Sequence, residues 1–148
     1  MKFKTLTLIA LVFLSSDVFA DWQITKNDLK TFEKFAKTDE VELYTGDSIL
    51  HDFENLPTEG HKFVLVKITA NNQDTTMQPL NSLEFKLKVN DQIYSRITDD
   101  KFLLNYNIKP FTRLKIKKGT HEGHLLFEIP TAELSNNVTL FYNDKPIQ

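Results

Sequence analysis

Four histidines, His51, His61, His121 and His124, are the residues best suited to chemistry in a chain that has no cysteine. The tightest group is His121-Glu122-Gly123-His124, two imidazoles and a carboxylate within four positions. With His61 as a third ligand, such a set could hold a zinc or copper ion. Its spacing departs from the zincin pattern, in which two histidines four apart share one face of a helix. On an extended strand, residues three apart point to opposite faces, so His121 and His124 converge only if the chain bends at Gly123. The plainer expectation is a pair of solvent-facing or edge-strand histidines.

Nucleophilic catalysis has less to build on. Ser48, Ser82, Ser95 and Ser135 lie outside any Gly-x-Ser-x-Gly setting. His51 and Asp52 are chain neighbours, which diverge in extended structure and make a poor acid-base pair. Glu40, Glu42, Asp99 and Asp100 offer carboxylates without a matched partner, and no glycine-rich phosphate loop occurs. The expectation is a protein that is not an enzyme and needs no cofactor, with a loop-built hydrolase as the least favoured alternative.

One basic stretch remains: Lys109, Arg113, Lys115, Lys117 and Lys118. On a strand Arg113, Lys115 and Lys117 share a face, and Phe111 falls in the same phase, opposite Leu114 and Ile116. An aromatic beside a row of cations is a candidate recognition surface for lipid headgroups, surface polysaccharide or another anionic partner. The plain alternative is the wet side of a sheet, whose lysines discourage edge-to-edge aggregation.

The elements that must position these residues follow from alternation, since a half-buried strand sends every second side chain inward. Leu83, Phe85, Leu87 and Val89 alternate with charged residues; Val64, Val66, Ile68 and Ala70 form a second set. Leu114 and Ile116, then Leu125, Phe127 and Ile129, then Val138, Leu140 and Tyr142 complete five strands, with weaker ones at 41–44 and 93–97. Turn-forming clusters such as Thr45-Gly46-Asp47, Asn90-Asp91 and Lys118-Gly119 separate the runs. Short strands with no room for helical crossovers predict an antiparallel all-β sandwich. Leu29, Phe32 and Phe35 recur at spacing three behind a Thr25-x-x-Asp28 start, which predicts a short N-terminal helix over 27–36. The apolar segment 101–110 is expected to plug one end of the sandwich through Phe102, Leu103, Tyr106 and Ile108, with an exposed recognition loop as the other reading.

Residues 1–20 have the layout of a secretory signal peptide. Lys2 and Lys4 precede the apolar run Thr5 to Leu14, and Val18-Phe19-Ala20 fits a cleavage site before Asp21. Ten apolar residues fall short of the about 20 that span a bilayer. The expected product, 21–148, is a single domain in the periplasm or outside the cell, not membrane-spanning, and monomeric or weakly associating. Loss of two lysines and one aspartate from 18 basic and 20 acidic residues leaves 16 − 19 = −3, which excludes the basic footprint of a nucleic-acid binder.

The ordered signatures from Gly60 to Pro130 resemble a known family. A strand enters from Gly60-His61-Lys62 and ends at Asn71-Asn72; Pro79, Asn90-Asp91 and Tyr94 follow; the series closes on Lys118-Gly119-Thr120-His121-Glu122-Gly123 and Phe127-Glu128-Ile129-Pro130. This is similar to a bacterial exported immunoglobulin-like family catalogued as a domain of unknown function, often mislabelled as telomeric-repeat-binding, and to small secreted mycobacterial antigens. The resemblance implies an immunoglobulin-like sandwich, export and a binding role toward a protein or cell-envelope component. It brings no catalytic residue. The cysteine pair and central tryptophan of antibody domains are missing, as the single tryptophan is Trp22.

Overall fold

The computed structural model describes residues 22–134 and 137–148. The expected signal peptide, its cleavage site and Ser135 lie outside the described residues. Among those described there are eleven strands and one short helix: β1 Trp22–Phe32, β2 Phe35–Glu42, β3 Ser48–Asn55, β4 His61–Asn72, β5 Gln78–Pro79, β6 Phe85–Val89, β7 Gln92–Ser95, α1 Asp100–Asn105, β8 Lys115–Ile116, β9 Gly119–Pro130, β10 Val138–Tyr142 and β11 Lys145–Pro146. The expected all-β sandwich is present. One sheet has the order β1-β4-β9 and the other β11-β10-β6-β7. All named strand pairs are antiparallel.

The two sheets meet through the residues whose alternation announced them. Val64, Val66, Ile68 and Ala70 of β4 and Leu125, Phe127 and Ile129 of β9 face Phe85, Leu87 and Val89 of β6 and Leu140 of β10, all of them buried. Each side chain of this size buried from water contributes on the order of 1.5–3 kcal/mol, which makes this layer the principal source of stability.

β4 and β9 are also covered on their other face. Phe63 and Leu65 of β4 and Leu126 of β9 join Phe35 and Leu103 in a second buried cluster, flanked by Phe32, Phe102, Tyr106 and Ile108. The segment 101–110 is therefore packed inward, as expected, but it covers the outer face of β4 and β9 and does not plug an end of the sandwich, and it carries most of the short helix α1.

The N-terminal helix predicted over 27–36 is not formed; that segment belongs to β1 and the start of β2. The ladder between β1 and β4 shifts at Asn27, because Lys26 pairs with Ile68 and Asp28 with Lys67. The extra residue is a β-bulge, and it resets which face each side chain takes. Leu29 packs on the inter-sheet core while Phe32 packs on the second cluster. A strand greasy on both faces imitates a spacing of three.

Two other expectations need correction. The strand expected at 112–117 shortens to Lys115–Ile116, with Ile116 buried but Leu114 exposed. Leu83 is exposed in a 3-10 turn ahead of β6.

Candidate functional site

The residues between β1 and β4 form a hairpin arm. β2 and β3 pair with each other over eight rungs, from Phe35 with Asn55 to Glu42 with Ser48, and with no other strand among the described residues. At the tip the Leu43 amide donates to the Asp47 carbonyl at 2.6 Å and the Gly46 amide to the Leu43 carbonyl at 2.9 Å. One face of the ribbon carries Lys37, Asp39 and Val41 opposite Phe53, His51 and Ile49. The other carries Thr38, Glu40 and Glu42 opposite Asp52, Leu50 and Ser48.

Exposed apolar side chains are concentrated on the arm. Tyr44 at the tip is fully exposed and Leu50 is 74% exposed, with Val41, Leu43, Ile49, Phe53 and Leu56 also in solvent. Its carboxylates are ordered by short-range partners. Thr38 Oγ1 donates to Asp52 at 2.6 Å and Ser48 Oγ to Glu40 at 2.5 Å. Lys37 pairs with Asp39 at 2.7 Å while its Nζ lies 5.3 Å from the Phe53 ring centre.

Five rings pin the base of the arm. Phe35, buried at the first rung, stacks on Phe32 and meets Phe63, Phe102 and Tyr106 with centroids 4.9 to 5.3 Å away. Tyr106 Oη donates toward the Phe35 carbonyl on β2 at 3.2 Å and toward Asn55 Oδ1 on β3. One phenol thus ties both strands of the hairpin. Burial raises the Tyr106 pKa above its usual value near 10, with Lys37 opposing and Glu54 reinforcing the shift.

The helix that presents Tyr106 is itself fixed by a buried arginine. Arg96 Nη1 donates to the Phe111 carbonyl at 2.9 Å and Nη2 to Asp100 at 2.5 Å, with Nε 3.3 Å from the Ile97 carbonyl. A guanidinium taken out of water requires such a full set of acceptors. It joins the end of β7, α1 and the run before β8.

The candidate metal ligands are kept apart. His121 pairs in register with Ala70, and its Nε2 donates to the Lys117 carbonyl at 2.9 Å. His124 pairs with Lys67 on the opposite face and donates from Nδ1 to the Lys109 carbonyl at 3.1 Å. His61 pairs with Pro130, which places it nine residues along β4 from Ala70, roughly 30 Å away. No group of three potential metal ligands occurs among the described residues. The chain does not bend at Gly123, which pairs in register with Ile68; a Cβ there would stand 2.8 Å from the Phe111 backbone, so glycine is what lets that segment close on β9.

Of the basic stretch, Arg113, Lys115 and Lys117 are exposed as expected, but Phe111 is not beside them. It is 1% exposed, edge-on to Phe85 in the core, because its segment crosses the open edge of β9 instead of continuing as a strand. His124 lines a shallow groove of about 260 Å³ with Lys30, Lys67 and Asp28. Its lysines are already paired, Lys30 to Asp28 at 3.3 Å and Lys67 to Glu122 at 3.6 Å.

A family model described as a domain of unknown function, DUF4352, matches residues 20–148. The chain belongs to this family. The DUF4352 match runs from Ala20 to Gln148 and so includes the arm as well as the sandwich. Among solved structures, the DUF4352 chain is similar to the yjhA protein from Bacillus subtilis, with a TM-score of 0.51 at 20% identity over 84% of this chain and 76% of that one. It is also similar to a conserved hypothetical protein from Bacillus anthracis, with a TM-score of 0.50 at 14% identity over 86% of this chain and 98% of that one. At such identities the likeness shows the fold alone. No curated protein matches the chain. Among the described residues, no helix is long and apolar enough to cross a membrane.

The arm, Tyr106 and Arg96 were not singled out as a site by sequence. A signal for the arm existed in Ile49, His51 and Phe53, which alternate after the Thr45-Gly46-Asp47 turn and mirror Lys37, Asp39 and Val41 before it.

Proposed function

We propose that this DUF4352 protein is an exported, non-catalytic interaction module that engages a protein or cell-envelope component, and that the hairpin arm is its contact element. The observation that supports this reading is the arm itself. A two-stranded ribbon alone in water is marginally stable, yet here it carries Val41, Leu43, Ile49, Leu50 and Phe53 in solvent on a base held by five aromatic rings. Among the described residues both of its edges are free of other strands, so a partner can add to it by strand pairing as well as by apolar contact. Exposed apolar side chains bordered by charge are what a recognition surface requires.

Export is part of the same reading and rests on the three-part layout of residues 1–20. Intact-mass measurement on exported material should show a chain beginning at Asp21; a chain still carrying Met1 would overturn it. The arm is tested by replacing residues 37–53 with Asn-Gly, a two-residue turn that joins the facing partners Ala36 and Glu54. Envelope components captured by the wild-type domain should be lost from this variant. The same captured set from both proteins would sink the reading.

A further inference from the structure

The arm and the opposite pole of the sandwich carry opposite charge. From 35 to 55 the arm has one cation, Lys37, against Asp39, Glu40, Glu42, Asp47, Asp52 and Glu54, a net of 1 − 6 = −5. The rest of residues 21–148 then carries −3 + 5 = +2. The largest share of that positive charge lies in Arg113-Leu114-Lys115-Ile116-Lys117-Lys118, a run without a carboxylate. Its four cations are exposed, and none of them takes part in an ion pair among the described residues. Leu114 is 65% exposed between them. Exposed Leu83 adjoins the strip, because the Ser82 amide donates to the Arg113 carbonyl at 2.9 Å. Met77, also exposed, precedes Gln78, which pairs with Ile116.

These two features sit at opposite ends of β4. The arm leaves the sheet where Phe32 pairs with Phe63. The strip lies where Asn72 pairs with Gly119 and donates from Nδ2 to the Ile116 carbonyl at 3.1 Å. The 12 residues of β4 extend for about 40 Å, and an eight-residue arm strand for about 26 Å. The arm therefore cannot neutralise the strip of its own chain.

We propose that a second copy of this chain is a partner of the arm: the acidic, apolar arm of one molecule docks on the basic strip 113–118 of the next. This inference rests on the reading of the arm as a contact element. Charge selects the geometry. A two-fold arm-to-arm contact brings −5 onto −5, and a strip-to-strip contact brings cations onto cations, whereas arm on strip pairs opposite signs around apolar centres at both sides, Leu50 across from Glu40 on the arm and Leu114 with Leu83 on the strip. Because the two surfaces differ, the contact either closes reciprocally in a two-fold pair, arm on strip both ways, or runs head-to-tail into rings or filaments. The negative arm also disfavours anionic lipid as the occupant.

Sedimentation of the 21–148 protein tests this. At about 20 mM salt its mean mass should rise with concentration, and at about 500 mM it should fall toward the monomer as the charges are screened. Glu40→Lys with Glu42→Lys should abolish association, as should Arg113→Glu with Lys115→Glu; all four side chains are exposed, and a circular dichroism spectrum like that of the wild type confirms that each variant folds. Mixing the two variants should restore association, since each presents the complement of the other. A wild-type protein that stays monomeric into the high-micromolar range at low salt overturns the proposal, as do variants that associate like the wild type, a mixture that does not co-assemble, or arm-dependent binding to anionic vesicles in place of self-association. Monomeric protein whose envelope capture still depends on the arm would sink self-association and leave the arm's contact role standing.

Discussion

The inter-sheet core and the hairpin arm use the same residue types to opposite ends. In the core, Val64, Val66, Leu87, Leu125, Phe127 and Leu140 are fully buried, with a second sheet across from them. In the arm, Ile49 and Phe53 alternate in the same manner along β3, with Val41 facing Ile49 from β2, but they meet water. Alternation therefore reports a strand and says nothing about what covers it. Cover depends on whether a second layer reaches that surface, and at the arm the covering ends with the ring pile at its base.

Substitutions should separate the two regions by the size of their effect. Phe127→Ala removes a ring from the middle of the core and should cost about 3–5 kcal/mol in urea unfolding; a loss below about 1 kcal/mol would mean the layer is not close-packed. Arg96→Ala strips the buried guanidinium from Asp100 and the Phe111 carbonyl and should cost roughly 3–5 kcal/mol, since it leaves buried acceptors without a donor. It should also loosen the arm, read as faster hydrogen exchange in β2 and β3, because α1 loses its anchor. Normal arm protection in that variant would uncouple the two regions.

Tyr106→Phe keeps the ring and deletes the tie between β2 and β3, at a cost of about 1 kcal/mol, with the gain in exchange confined to the arm. Alkali should act in the same direction. With the folded pKa raised above the usual phenol value by burial, the contribution of Tyr106 is complete below the unfolded pKa and is lost as pH rises through the folded one. An arm whose exchange, corrected for intrinsic rate, does not change as the phenol ionises would show that the hydroxyl is not the tie. The smallest effect belongs to the arm surface. Leu50→Ser should shift stability by no more than about 0.5 kcal/mol, and a larger loss would reveal cover over the arm within the chain.

Most of the sandwich was legible because β4, β6, β9 and β10 alternate on the face that meets the inter-sheet core. Leu125, Phe127 and Ile129 and Val138, Leu140 and Tyr142 all fall on the predicted face. The helix failed where burial is two-sided: Leu29 and Phe32, three apart, serve different cores on opposite faces of β1, and a bulge at Asn27 brings Ile24 onto the same face as Leu29. Phe111 was misplaced for a related reason. It was assigned a face by counting back from Arg113, which holds only if the strand is continuous, and the ladder there reaches no further than Lys115 and Ile116. The histidines show the converse, since the opposed orientation of residues three apart was readable in advance and is what β9 displays. Arg96 and Tyr106 carried no local signature; their roles come from segments 15 and 71 positions away in the chain.

β4 is the strand both clusters share, with Val64, Val66, Ile68 and Ala70 serving one and Phe63 and Leu65 the other. Neither cluster can come apart while the other keeps its spine, which makes the anchorage as slow to open as the molecule itself. A tug on the hairpin is thus delivered through Phe35 and Phe63 to the last element to yield, as a crowbar is set in bedrock and not in topsoil.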